Sequence, residues 1–333
     1  MNNNLSLFDF EPVYFEEIIS RFIKLNKDKI IDYEAFKKSI TNKENLHNHT
    51  LENLFLYFDL RQNLDKNKII FFDKAIFFVN KKKCKLFVYD EEQIMDKIDF
   101  SPFLESDEFY SKFLIYSSIE LTDKINLTQS KFKECIYNLD DIFNPETYKE
   151  KYKDCSTKKI NKKIYNRIKY PFIYLNTDKF RYEEISSTNI NDVEEIHSKW
   201  VEYKLNDEKT FQIMFSAKRY IFCVKESMID IELKNSTFYK RIFYWENKPI
   251  AVRLCLLKGD RSYDISFFSI FFDCPSNLIL YINAFCLNEL KEKYGIKTHN
   301  CGMELNKLLK NSKEHFPSTQ LTGYKYNFKK KKI

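Results

Sequence analysis

Ile250-Ala-Val-Arg-Leu-Cys-Leu-Leu257, the tripeptide Lys258-Gly259-Asp260, and Tyr263-Asp-Ile-Ser-Phe-Phe-Ser-Ile-Phe-Phe272 decide the fold. Two apolar runs rich in aromatic and branched residues flank a glycine turn, which reads as a pair of strands. Arg241 to Trp245 supplies a strand before them. Asp273-Cys274-Pro275-Ser276 breaks the long run after them. Asn277 to Tyr294 then places Leu278, Tyr281, Ile282, Phe285 and Leu290 at helical spacing. Gly295 is placed to end that helix. Ile296 to Cys301 reads as a strand, Met303 to Lys313 as a helix, and Tyr324 to Phe328 as a last strand. The four glycines of the chain, Gly259, Gly295, Gly302 and Gly323, all fall within this module. The order is strand, strand, strand, helix, strand, helix, strand.

Upstream, residues 13–40 read as helical, with Phe15, Ile18, Ile19, Phe22 and Ile23 on one face. Residues 68–72, 75–79 and 84–89 read as strands. Helical patterns cover about 104–117 and 129–138. Residues 145–169 form a basic helix candidate, with Asn144 as N-cap, Pro145 near its start and Pro171 beyond its end. Phe180 to Ile185 reads as a strand. Asn189 to Tyr203 reads as a helix with Val193, Ile196, Trp200 and Val201 on one face. Both parts of the chain contain hairpin-then-helix units, so the expected fold class is mixed α+β.

The chain has 333 residues, which suggests two domains or one large one, and 17% of them are aromatic, enough to bury sizeable cores. The net charge of +7 permits a polyanionic partner but is discounted against the Lys- and Asn-rich bias of the whole sequence. Its eight cysteines are dispersed with no CxxC pair, which implies core thiols in a reducing compartment. The start carries no signal-peptide pattern and no run reaches a membrane-spanning length. A cytoplasmic protein without a transmembrane segment is expected. His47, His49, His299 and His315 make no ligand set with cysteines or carboxylates, so no metal is expected. No Ser/His/Asp arrangement and no phosphate loop is present.

Three local patterns carry a resemblance. The first is Lys158-Lys-Ile-Asn-Lys-Lys-Ile-Tyr-Asn-Arg167, then a strand, then a helix ending at Trp200. The second is Asn300-Cys301-Gly302, then a helix, then Lys313-Glu-His-Phe316. The third is Thr322-Gly323-Tyr324-Lys325-Tyr326. In order and spacing, over about residues 145–328, they resemble the tandem branch of the GNAT acyltransferase superfamily. That branch holds the Fem peptidyltransferases and the C-terminal domain of phosphatidylglycerol lysyltransferases. The resemblance implies two tandem GNAT-like domains, each a mostly antiparallel sheet flanked by helices. Residues 1–144 would form the first, 145–176 a basic linking helix, and 177–333 the transferase domain.

It also implies an activated acyl donor and no tightly bound cofactor. Acetyl-CoA enzymes of the superfamily hold the pyrophosphate on a glycine-rich turn. The turn here, Asp273-Cys274-Pro275-Ser276-Asn277, has no glycine, and its proline lacks an N–H. Aminoacyl-tRNA is therefore favoured over acyl-CoA. The lysyltransferase pattern of an Asp followed three positions later by Arg is broken, because Phe267 follows Asp264.

Candidate catalytic residues are Lys313, Asp264 and Tyr263. The Lys313 ammonium would stabilise an oxyanion, and the Asp264 carboxylate would take or position an amine. Asn300, Gly302, Glu304, Ser276 and Asn277 are candidate substrate-binding residues. Lys158, Lys159, Lys162, Lys163, Asn166 and Arg167 would track phosphates of tRNA or another nucleic acid. The expected activity is transfer of an aminoacyl group to an amine or hydroxyl of a small-molecule or macromolecular acceptor. Two alternatives stay open: a virus-type transferase modifying DNA bases, and a non-catalytic module that binds nucleic acid or protein on the same fold.

Overall fold

The computed structural model describes residues 12–40, 68–80, 83–89, 93–121, 127–144, 146, 175, 178–205, 237–269, 278–303, 316 and 318–329. The chain divides into two compact units. One comprises Met1–Asn45, Leu60–Phe132 and Thr322–Ile333; the other comprises Leu46–Asp59 and Lys133–Leu321.

In the first unit, helix α1 (Pro12–Leu25) covers a sheet of strands β1 (Ile30–Ile31), β2 (Lys68–Phe72), β3 (Ala75–Asn80), β4 (Lys83–Val88), β5 (Phe113–Ser117) and β12 (Thr319–Phe328), in that order. The end of the chain thus contributes a strand here, with Tyr324 opposite Ser117 and Tyr326 opposite Ile115. β2, β3 and β4 alternate antiparallel, while β5 runs parallel to β4. Period-2 alternation sends Phe77, Leu86, Phe113 and Ile115 to the face that α1 covers.

The helix expected over 13–40 is broken. Asn26 is buried and turns the chain: its amide donates to the Phe22 carbonyl at 3.0 Å and the Asp99 carbonyl at 2.9 Å, and accepts from Asp99 N–H at 2.8 Å. A 3-10 turn (Lys27–Lys29) and β1 follow. Helix α2 (Tyr33–Ser39) then starts on Asp32, whose carboxylate accepts from Ala35 N–H. After the short helices α3 (Ile94–Lys97) and α4 (Ser101–Leu104), the helix expected over 104–117 is one short helix, α5 (Asp107–Tyr110), and then β5.

In the second unit, the part of β6 (Leu127–Asn138) from Lys133 onward, β11 (Thr298–Met303), β10 (Arg261–Ser269), β9 (Lys248–Lys258), β8 (Thr237–Trp245) and β7 (Phe180–Glu184) stand in that order. Residues 129–138, expected as a helix, belong to strand β6, which pairs antiparallel with β11. Its Cys135 and Tyr137 are buried two positions apart, a strand period. The helix comes just after it, as α6 (Leu139–Phe143). β7 to β10 are antiparallel, but β10 and β11 run parallel. The mostly antiparallel sheets expected from sequence are therefore mixed ones. The parallel step needs a crossover, which α8 (Leu278–Tyr294) supplies.

α8 packs on one sheet face against Tyr137, Tyr239, Phe243, Ala251 and Cys255. Helix α7 (Ile190–Leu205) packs on the other, its Val193 and Ile196 meeting Ile242, Tyr244, Val252 and Leu254. Ile282, Leu287 and Leu290 of α8 are wholly buried, and each contributes roughly 1.5–3 kcal/mol. Among the described residues no helix is long and apolar enough to cross a membrane. Cys84, Cys135, Cys255 and Cys286 are buried free thiols.

Gly323 is set by close approach. A Cβ there would fall inside the Phe132 ring, against Cζ and both Cε atoms. Gly323→Ala is expected to destabilise the first unit by about 1–3 kcal/mol, as overpacking does. Adding Phe132→Leu should restore part of the loss. Equal stability of wild type and Gly323→Ala in urea titration would refute this packing account.

Candidate active site

Strands β10 and β11 create the candidate site by ceasing to pair. Their parallel ladder runs through Arg261–Thr298, Ser262–His299 and Tyr263–Asn300, and ends there, although both strands continue. β10 shifts register against β9 between Asp264 and Ser266. β11 shifts against β6 between Asn300 and Met303. Two irregularities therefore lie side by side at the carboxyl ends of a parallel pair, where open α/β sheets place ligands. Gly302 sits in the second with φ +73, a conformation costly for a residue with a Cβ.

Arg253 organises the α8 face of this point. It lies within the apolar strand β9 and is buried. Its guanidinium reaches three elements. Nη1 donates to Asn283 Oδ1 of α8 at 3.0 Å. Nη2 meets His299 Nε2 of β11 at 2.8 Å. Nε stands 3.4 Å from Asp264 Oδ1 of β10. Burial opposes the charge on Arg253, but Asp264, Cys255 and Cys286 together outweigh it and hold the guanidinium protonated.

A guanidinium only donates, so His299 Nε2 accepts. The ring proton then sits on Nδ1, which lies 2.8 Å from Ser262 Oγ. Tyr137 stacks on the same imidazole, ring centroids 6.0 Å apart. The Asp264 side chain is 19% exposed whereas that of Arg253 is 3%. The carboxylate thus has one edge on a buried cation and another toward solvent.

The opposite face of the strands carries a second group. Asn300 Nδ2 donates to Glu134 Oε2 at 2.8 Å, and Asn300 Oδ1 accepts from Gly302 N–H at 2.7 Å. Glu134 is wholly buried. The amide thereby ties the irregular end of β11 to β6. Tyr263 is buried beside Asn300 in the parallel ladder and alternates away from Asp264.

Cys255, Asp264 and His299 each place a donor atom within 4.8 Å of the others, a spacing suited to a metal. The Arg253 guanidinium already contacts all three. A second cation would meet that fixed positive charge. Burial also pushes the Cys255 thiol up to about 12, against the pull of Arg253, so the thiolate ligand is suppressed. The group fits a guanidinium better than a metal ion.

Of the residues singled out from sequence, Asp264, Tyr263, Asn300 and Gly302 come together at the end of the parallel ladder. Asp264 faces Arg253, not the neighbouring Arg261. Lys313, Glu304, Ser276 and Asn277 lie outside the described residues, as do Lys158, Lys159, Lys162, Lys163, Asn166 and Arg167. Arg253, Ser262, His299 and Glu134 were not among the sequence candidates for this site. Arg253 had a signal: one charge inside the apolar run Ile250–Leu257 must find a partner.

No protein-family model and no curated protein sequence matches the chain. Solved structures do. A conserved protein of unknown function from Bacteroides thetaiotaomicron VPI-5482 matches with TM-score 0.59 and 13% identity, over 90% of this chain and 98% of that one. L-PGS from Bacillus licheniformis matches with TM-score 0.50 and 13% identity, over 92% and 94%. The C-terminal domain of a putative lysylphosphatidylglycerol synthetase from Agrobacterium fabrum matches with TM-score 0.49 and 10% identity, over 88% and 90%. GCN5-related N-acetyltransferases are also among the matches. The chain shares its α+β fold with the Bacteroides thetaiotaomicron protein and with L-PGS from Bacillus licheniformis.

Proposed function

We propose that the chain is an acyltransferase that moves an aminoacyl group from an activated carrier to an amine or hydroxyl, with the chemistry at the end of the β10–β11 ladder. The observation that carries this reading is the Asp264 carboxylate, fixed by a buried guanidinium and part-exposed where two parallel strands stop pairing. Aminoacyl-tRNA is favoured as donor over acyl-CoA, because the sequence at 273–277 offers no glycine turn for a pyrophosphate. Two tandem GNAT-like domains are part of the proposal. The repeated order of three antiparallel strands, a helical crossover and a parallel strand, seen in each unit, supports them.

In the proposed reaction the acceptor nitrogen attacks the ester carbonyl. The new C–N bond forms as the carbonyl oxygen becomes an oxyanion. Collapse breaks the C–O bond to the ribose, and the departing hydroxyl takes the proton lost by the amine. Asp264 accepts a hydrogen bond from an amine nitrogen, that of the acceptor or of the aminoacyl group, and orients it. Lys313 is proposed to stabilise the oxyanion. Much of the rate would come from positioning.

A binding screen tests the donor. Purified protein is titrated with charged tRNA, uncharged tRNA, acetyl-CoA and duplex DNA at two salt concentrations. Preference for charged over uncharged tRNA is the expected result. Saturable acetyl-CoA binding would overturn the choice of donor. Binding of DNA alone would replace the reading with DNA-base modification.

A further inference from the structure

We propose that Arg253 is the positioning residue of this site, and that the carboxylate it presents, Asp264, takes a primary amine nitrogen. The inference rests on the aminoacyl-transfer reading, in which Asp264 already orients an amine, and adds the device that aims the carboxylate.

The geometry separates holding from presenting. Arg253 is held at Nη1 by Asn283 and at Nη2 by His299, and His299 is itself held by Ser262. These contacts come from α8, β11 and β10, so the guanidinium cannot swing without disturbing three elements. Its remaining edge, Nε, faces Asp264. Asp264 is the last residue of β10 before its register shift, with its backbone opposite Cys255 of β9. Its carboxylate is oriented by the guanidinium it meets, and a planar fork sets direction better than a point charge. A carboxylate oxygen accepts hydrogen bonds and attracts positive charge, so its natural ligand is an N–H group on a cationic or nucleophilic nitrogen. Acetyl groups offer nothing for it to recognise. The amine could belong to the donor's aminoacyl group or to the acceptor.

The test uses the full-length protein with small probes, followed by calorimetry or amide NMR: glycinamide, ethylamine and N-acetylglycinamide. Glycinamide is expected to bind and N-acetylglycinamide not to bind. Tighter binding of glycinamide than of ethylamine assigns the site to the donor's amino group; equal binding assigns it to the acceptor amine. Asp264→Asn should abolish amine binding. Arg253→Lys keeps the charge and loses the fork, and should weaken it about tenfold.

His299→Ala and His299→Gln provide a second route that leaves Arg253 and Asp264 in place. Alanine frees one side of the guanidinium and should weaken amine binding. Glutamine can accept from Arg253 and donate to Ser262, and should restore it. Wild-type amine affinity in folded Arg253→Lys and His299→Ala would overturn the positioning role. Failure of the wild-type protein to bind either amine would overturn the amine assignment. A charged-tRNA preference surviving such failure would leave the transfer reading intact, so the two ideas fail separately.

Discussion

Glu289→Ala is expected to destabilise the second unit by about 3–5 kcal/mol, the range for breaking a buried ion pair from one side. Glu289 sits on the inner face of α8, and both it and Arg241 are buried. Its two oxygens receive the whole fork of Arg241, Nη2 at 3.0 Å and Nε at 3.2 Å. Tyr239 donates a further bond at 2.8 Å and Lys293 another at 2.7 Å. Alanine would leave a buried guanidinium and a buried phenol without their acceptor. Glu289→Gln keeps the shape and one oxygen and should cost less. Urea titration followed by tryptophan fluorescence reads the effect, since Trp200 and Trp245 belong to this unit. A loss below about 1 kcal/mol would place the pair among those worth little.

The same group sets a pH dependence. Burial works to raise the Glu289 carboxyl, but its bonds from Arg241, Lys293 and Tyr239 outweigh burial and hold it below its ordinary 4.5. A carboxyl lowered in the folded state binds its proton more readily in the unfolded chain. Its stabilisation is therefore complete above about 4.5 and is lost as pH falls through the lower folded value. In Glu289→Gln that part of the acid slope should vanish.

Legibility in the sequence followed the range of the interactions involved. Strands β8 to β10, their glycine turn and α8 could be read because each is specified locally, by continuous apolar runs, Gly259 and a helical period. The break after Leu25 could not. Asn26 ends α1 through bonds to Asp99, seventy-three positions away, and a polar residue on a helical face carries no mark of that partner. β5 and β6 were read as helix. Phe113–Ser117 is a short apolar run, which periodicity alone does not assign. Residues 128–131 of β6 are polar, and the strand partner of 134–138 lies more than 150 positions on. Misreading β6 also hid Glu134, whose direction depends on a strand period.

At the site, Asp264, Asn300 and Gly302 were visible because polar or flexible residues interrupt strands there. Arg253 was visible only as an anomaly. His299 gained meaning once the fold brought β9, β10 and β11 together.

Phe22→Ala is expected to cost the first unit about 3–5 kcal/mol, the range for truncating a buried phenylalanine. Phe22 is the point at which α1 meets the sheet. Its ring lies 5.1 Å from Phe77, 5.2 Å from Phe103, 5.5 Å from Phe100 and 6.1 Å from Phe72, measured between centroids. Phe77 also contacts both Phe100 and Phe103, so it braces them across the gap that alanine would open. A braced wall collapses poorly, which puts the loss at the upper part of the range. One turn later, Asn26 donates to the Phe22 carbonyl while binding the Asp99 backbone. Loosening the ring therefore also loosens the bend that ends α1. Phe22→Leu fills most of the volume and should cost much less. Tryptophan emission is blind to this unit, whose described core aromatics are phenylalanine and tyrosine, so the measurement is amide hydrogen exchange across α1 and β3. Faster exchange there in Phe22→Ala, with Phe22→Leu intermediate, is the expected pattern. Unchanged protection of β3 would mean that the sheet does not depend on the helix that covers it.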